Sequence, residues 1–264
     1  MACGNLREEP LTRTLILSDI HSNGDALDAV LQDSRPRAFD QVWVLGDICG
    51  YGPQPRECIE TVKKLPGVRM IMGNHDRVIG KVEQPLGFNP HAIAAAYRNM
   101  QQLEESDIRW LADLPDRIEP DPDVLLCHGS PEDPDLYLLS LAAAVPSLHF
   151  LKSSSKIMGF FGHTHVPTLY EWDERTSAYN EIDIDFGVPL ALDAGGGFRY
   201  LINPGSVGQP RDGNPMAAYA ILSRVLQRWE ISFFRVGYSV VDCQKKMSHL
   251  GYPEMLIKRL GVGF

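Results

Sequence analysis

The chain has 264 residues, with 34 acidic against 25 basic side chains and a formal charge of −9. Hydrophobic residues at 44% and charged ones at 22% exclude a disordered or fibrous chain. The acidic balance argues against long nucleic acid or an anionic membrane as a partner, but not against a small anion. Five scattered cysteines (Cys3, Cys49, Cys58, Cys127, Cys243), none in a CxxC pair, read as reduced thiols. The opening MACGNLREEP has no apolar leader, and no run approaches the ~18 apolar residues of a membrane span. The expectation is a cytoplasmic protein of one domain, residues 1–264, with no coiled coil or other signal of its oligomeric state.

In chain order, Thr14 to Leu17 is a short apolar run of the kind that forms a strand buried on both faces. A helix follows over Asp25 to Gln32, then a second buried strand at Val42 to Leu45. After a Pro/Gly loop come a helix near Arg56 to Leu65 and a third strand at Val68 to Met72. This alternation predicts βαβ units with parallel strands. Residues 78–118 read as a mainly helical insert, strongest over Ala92 to Leu103, with Ser106 as an N-cap candidate. Val124 to Cys127 and Ile157 to Phe161 are the fourth and fifth buried strands, and Leu141 to Val145 reads as a core-packing helix face. Beyond them Thr168 to Trp172, Tyr179 to Phe186, Tyr200 to Asn203, Ala217 to Leu222 and Gln227 to Val236 predict an antiparallel section and a second sheet. A helical tail follows at about 240–260.

Each of the first five strands ends in polar residues able to bind metal: Asp19 and His21, Asp47, Asn74 to Asp76, His128, then His163 and His165. Strand carboxyl ends form the ligand crevice of open α/β sheets, so five segments converge on one rim. In extended chain, the i, i+2 spacing of Asp19 with His21 and of His163 with His165 would aim each pair to one side. Oxygen and imidazole donors without thiolate suit Mn²⁺ first, with Fe, Zn²⁺ or Ni²⁺ as alternatives. Seven candidates exceed one ion's needs, and two ions sharing a carboxylate are the simplest arrangement. His91, His149 and His249 stand outside these segments and read as structural, and Cys49 and Cys127 as packing residues.

The blocks SDIHSN, GDICGYGP, GNHD, CHGS and GHTH, in that order, resemble the signature of the calcineurin-like metallophosphoesterase superfamily. NPGSVGQPRDG is similar to its bacterial phosphodiesterase-like branch, and the resemblance spans about Leu15 to Arg211. It implies an α/β fold, a four-layer α/β/β/α sandwich of two mixed sheets flanked by helices. It also implies Asp19, His21 and His165 on one divalent ion, Asn74, His128 and His163 on the other, and Asp47 bridging them. His75 matches the non-ligand histidine that contacts the phosphate and protonates the leaving oxygen. Asp76 would hold that imidazole and raise its pKa.

The phosphoprotein phosphatase branch carries an arginine in GDxxDRG, which is absent here, so Arg77 and Arg211 stand as substrate-binding candidates beside Asn74. The expected activity is hydrolysis of a small phosphoester, foremost a phosphodiester, by metal-activated water. The alternatives are a serine/threonine phosphoprotein phosphatase, a dinucleoside polyphosphate hydrolase and, more distantly, a non-catalytic scaffold of the same fold. The loop Pro131 to Asp135 is expected to border the site, where its carboxylates would repel a polyanion.

Overall fold

A computed structural model describes residues 12–225 and 228–264. Cys3, the opening segment and Gln227 lie outside the described residues.

Alternation along the strands sets the layers. In β1 (Thr12–Leu17), Leu15 and Leu17 enter one apolar core while Ile16 enters another on the opposite face. In β5 (Val124–Cys127), Val124 and Leu126 share that second core with Ile16, while Leu125 and Cys127 enter a third. A strand that is apolar on both faces must be covered on both. The second core therefore fills the space between two sheets, and the first and third lie beneath helices. The layers run helix, sheet, sheet, helix, as the resemblance implied.

One sheet has six strands in the order β3 (Arg69–Met70), β2 (Gln41–Val44), β1, β11 (Ala217–Val225), β12 (Arg228–Val236), β9 (Leu190–Leu192). The other runs β4 (Arg117–Asp121), β5, β6 (Met158–Phe160), β10 (Phe198–Asn203), β7 (Thr168–Asp173), β8 (Ala178–Glu181). β1, β2 and β3 are parallel neighbours, as are β5, β6 and β10; every other pairing is antiparallel. The strands therefore do not sort by position in the chain. β11 returns to pair with β1, Thr14 opposite Leu222, and the later strands serve both sheets.

α1 (Gly24–Ser34) is capped by Asn23, whose side chain accepts from Ala26 N at 3.1 Å. With α2 (Pro55–Lys63) it packs Leu27, Val30, Ile59 and Val62 into the first core. α6 (Leu141–Ser153) covers the other sheet through Ala144, Leu148 and Leu151. The insert departs from expectation at both ends. α3 (Asn74–Ile79) starts at the strand end itself, residues 80–89 form turns, and residues from Arg117 pair as a strand. Between them lie α4 (Pro90–Gln102) and α5 (Glu105–Ala112). Ser106 is not the cap of α5, which begins after Glu104, where Glu104 N–H donates to the Asp107 carboxylate at 3.3 Å. β4 and β9 were not expected: β4 is a polar edge strand containing Pro120, and β9 has three residues, so neither carries a periodic signal. α7 (Val240–His249) and α8 (Glu254–Arg259) form the tail. Among the described residues no helix is long and apolar enough to cross a membrane.

Candidate metal centre and active site

Six segments leave the carboxyl ends of β1, β2, β3, β5, β6 and β10 and meet on one rim. Contacts across the two sheets lock them: His163 N–H donates to the Asp19 carboxylate at 3.1 Å, and Ser206 Oγ donates to Asp19 O at 2.8 Å. The paired residues are not in extended chain. Asp19, His21, His163 and His165 have φ of 51°, 49°, 65° and 61°, so left-handed turns past the strand ends, not extended i, i+2 spacing, aim these side chains. Such conformations cost non-glycine residues free energy, and they persist where surrounding contacts over-determine them.

These turns gather two groups of donors. Ligand atoms of Asp19, His21, Asp47 and His165 lie within 4.8 Å of one another, as do those of Asp47, His128 and His163. Asp47 belongs to both groups. Asn74 Oδ1 lies 3.2 Å from His128 Nε2, on the side of the second group.

Hydrogen bonds fix which imidazole nitrogens face inward. His21 Nδ1 donates to Cys49 O at 3.2 Å and His165 Nδ1 to Gln209 O at 2.6 Å, because a carbonyl can only accept. Their Nε2 lone pairs are left facing each other at 3.0 Å, beside the Asp19 and Asp47 carboxylates. His128 Nδ1 likewise donates to Leu45 O at 2.7 Å, leaving Nε2 3.4 Å from Asp47 Oδ2. His163 is reversed: Nε2 donates to Asp135 O at 3.1 Å, so Nδ1 is its free donor atom. The converging lone pairs of His21 and His165, with no proton between them, fit a cation. His128 Nε2 instead faces the acceptors Asn74 Oδ1 and Asp47 Oδ2 and would give up its proton to bind one. Carbonyl-anchored imidazoles are the usual support of metal-binding histidines.

Two glycines make the approach possible. A Cβ on Gly73 would overlap the Asp47 carboxylate, and one on Gly50, whose φ is +111°, would sit 2.7 Å from His75 Nδ1. Burial governs the electrostatics. It pushes Asp19 up to about 6 and holds His21 and His165 well below the ordinary histidine value. Burial lowers His75 to about 4, the Asp47 charge opposing, and lowers His163 to about 3 with His128 adding. For His128 burial also disfavours charge, but Asp47 and Asp19 outweigh it and raise the imidazole to about 9.

A pH dependence follows. Histidines with depressed folded values stabilise the fold above the unfolded value near 6.5 and lose that contribution as pH falls through their folded values. Asp19, raised to about 6, acts oppositely, gaining as pH falls, and buried Asp76, raised to about 7, does the same. Four lowered histidines outnumber the two carboxylates. Thermal melts of the chain in chelator are expected to show a falling midpoint from pH 6.5 to 4.

Two neighbours of His75 do not take the expected roles. The Asp76 carboxylate accepts from Ile48 N, Cys49 N and Gly73 N at 3.1, 2.9 and 3.2 Å, fastening the loop after β2 to the start of α3. It does not hold the His75 ring, whose Nδ1 is buried without a partner, and that ring's pKa falls rather than rises. Arg77 is buried, does not line the cavity, and faces Asp116 at 3.0 Å, Asp135 at 3.3 Å and Glu83 at 3.8 Å, so its charge goes to carboxylates, two of them on the cavity wall. Arg211 does reach the site. It lines a cavity of about 260 Å³ with Asp47, Asn74, His75, His163 and His165, and its buried Nε has no partner among the described residues.

Residues given no role by the sequence complete the cavity. Tyr51, Phe88 and Tyr137 line it, with Tyr137 over His163 at 3.8 Å between ring centroids. Asn99 of α4, fully buried, accepts from Ser22 Oγ and Gly50 N and donates to Gly52 O and Tyr252 Oη. It ties the loops carrying His21 and Gly50 to the insert and the tail. Asp135 borders the cavity as its loop was expected to. Cys49 and Cys127 are buried free thiols, as packing requires.

Fold and donor geometry together define a two-sheet sandwich with candidate clusters for divalent ions at the strand ends. Comparison with known proteins agrees. The model of the calcineurin-like phosphoesterase superfamily domain matches residues 13–224. An uncharacterised protein of Methanocaldococcus jannaschii is 33% identical over 252 residues, 94% of this chain and 97% of that one. The crystal structure of a metallophosphoesterase from Sphaerobacter thermophilus is 40% identical, with a TM-score of 0.82 over 97% of this chain and 100% of that one. A symmetrical bis(5'-nucleosyl)-tetraphosphatase of Vibrio campbellii is 30% identical over 118 residues, 44% of each chain. The chain belongs to the calcineurin-like phosphoesterase superfamily. It is a hydrolase acting on phosphoester bonds.

Proposed function

We propose that the chain is a phosphodiesterase that works with two divalent ions, Mn²⁺ foremost. The observation that carries this reading is the presence of Asp47 in both donor groups. Asp19, His21 and His165 would hold one ion, Asn74, His128 and His163 the other, and Asp47 both. Bound there, the ions supply Lewis-acid neutralisation of phosphoryl charge and a nucleophile at neutral pH.

The chain's own residues supply the rest. His75 N–H donates to Asp47 Oδ1 at 2.9 Å, which registers the imidazole against the shared carboxylate. An anionic phosphoester beside His75 raises its lowered pKa and favours the imidazolium. Its proton then goes to the leaving oxygen as that P–O bond breaks and water's oxygen bonds to phosphorus; the water gives up one proton to solvent, and solvent returns one to the ring. Arg211, which lines the cavity, would bind a phosphate oxygen.

Charge supports a diester. The cavity wall carries one guanidinium of its own, Arg211, and the carboxylates of Glu83 and Asp135, which Arg77 pairs with from behind. A singly charged diester needs less positive charge there than a dianionic monoester does. With Mn²⁺ present, kcat/KM for bis(p-nitrophenyl) phosphate is expected to exceed that for p-nitrophenyl phosphate and for a phosphopeptide. The opposite order sinks the diester reading, and no turnover of any of them with any divalent metal sinks the enzyme reading. The partial likeness to symmetrical tetraphosphatases supports a second reading, cleavage of a dinucleoside polyphosphate, so a dinucleoside tetraphosphate belongs in the same panel. Arg211→Ala is expected to lower kcat/KM about 10- to 100-fold, mostly through KM, the size of one lost charged hydrogen bond. Steady-state kinetics on the best substrate of the panel checks this.

A further inference from the structure

We propose that Phe88 is a positioning residue for His75, holding by ring packing an imidazole that no carboxylate orients. The His75 ring centroid lies 4.4 Å from that of Tyr51 and 4.6 Å from that of Phe88, at interplanar angles of 53° and 44°. His21 adds an edge contact at 4.9 Å. Among the described residues no polar group fixes the ring: Nδ1 is buried and unpartnered against Gly50, and Asp76 bonds to backbone N–H groups instead. An N–H buried at that Nδ1 would have no acceptor, so the neutral ring carries its proton on Nε2, the nitrogen left to the cavity.

The two ring contacts differ in how they are supported. Tyr51 is buried among Ala92, Ala95, Met247, Leu256 and Leu260, and the Arg211 guanidinium lies 5.7 Å over its ring. Phe88 packs against the edge of the same cluster but is only partly buried and sits in the turn segment 80–89, between Gly87 at φ +83° and Asn89, which caps α4 through His91 N and Ala92 N. The same segment brings Leu86 and Gly87 to the cavity wall. Phe88 thus links the substrate-facing turn to the ring that serves the leaving oxygen. Without its face the imidazole is free to turn about Cβ–Cγ and to present carbon in place of Nε2–H.

The kinetic arm of the test rests on the phosphodiesterase reading; a spectroscopic arm does not. Phe88→Ala, Phe88→Leu and Phe88→Tyr are compared with the parent on phenyl and 2,4-dinitrophenyl methyl phosphodiesters, with bound metal measured for each. A poor leaving group needs the donor more than a good one does. Phe88→Ala and Phe88→Leu are expected to lose about 10- to 100-fold in kcat on the phenyl ester, part of the range for a lost general acid, with KM and metal content held. Losses on the dinitrophenyl ester are expected to be several-fold smaller, and Phe88→Tyr, which keeps the ring face, stays near the parent on both. In parallel, ¹⁵N NMR of the full chain loaded with Zn²⁺ reads the His75 tautomer: Nε2–H alone in the parent, mixed in Phe88→Ala. Equal losses on both esters, metal loss, or a Phe88→Ala tautomer as uniform as the parent's overturns the proposal. If the parent hydrolyses neither ester, the functional reading fails and the tautomer still decides the role of Phe88.

Discussion

Asp47→Asn is expected to empty both ion positions together and to reduce hydrolysis to background. The substitution keeps the shape of the side chain and changes its charge. One oxygen of Asp47 accepts from His75 N–H at 2.9 Å, and the other lies 3.4 Å from both His21 Nε2 and His128 Nε2. An amide can meet the first demand with its oxygen only by turning its NH₂ towards those two nitrogens, where a cation would sit. In the reverse orientation NH₂ faces the His75 N–H. Either way the pocket loses one of the two carboxylates in its donor groups, leaving Asp19 alone. Altering a group that merely supports a ligand costs ~10–100-fold in metal affinity, and a direct ligand of both ions must cost more. Metal analysis is expected to fall from about two ions per chain to well under one. His165→Ala gives the contrast, because His165 belongs to one group only and the second should keep its ion. Retention of both ions by Asp47→Asn would remove the shared carboxylate from the account.

The asymmetry between what the sequence discloses and what it hides is clearest around His75. Polar residues that close a short apolar run at a strand end form a local pattern, so Asp19, Asp47, His128 and His163 stand out without knowledge of the fold. The resemblance implies a role for Asp76 and the missing GDxxDRG arginine points to Arg77, but neighbours in sequence diverge on a helix. Successive residues of α3 turn through about 100°, so His75, Asp76 and Arg77 cannot all face one cavity. His75 keeps the cavity, Asp76 turns back to three backbone N–H groups, and Arg77 turns to Asp116 and Asp135. Asn99 and Phe88 carry no motif, because what they do depends on contacts with Gly50 and His75, 49 and 13 residues away. The division of strands between sheets was hidden for a similar reason. The pairing of β11 with β1 spans most of the chain, and a buried strand reads the same in either sheet.

His75→Ala is expected to separate the leaving-group chemistry from metal binding, with turnover falling ~10²–10⁴-fold and both ions retained. The side chain belongs to neither donor group, and the backbone N–H that reaches Asp47 survives the substitution. What disappears is a ring packed between Tyr51 and Phe88, leaving a space of imidazole size with aromatic walls. Tyr51 is held by the tail cluster, so this space should stay open rather than collapse. Added imidazole is then expected to restore part of the activity, and more of it for a phenyl than for a dinitrophenyl leaving group. A merely structural loss shows neither rescue nor leaving-group dependence. Loss of metal from the variant would instead make His75 a ligand, and the proton for the leaving oxygen would have to come from another group on the cavity wall.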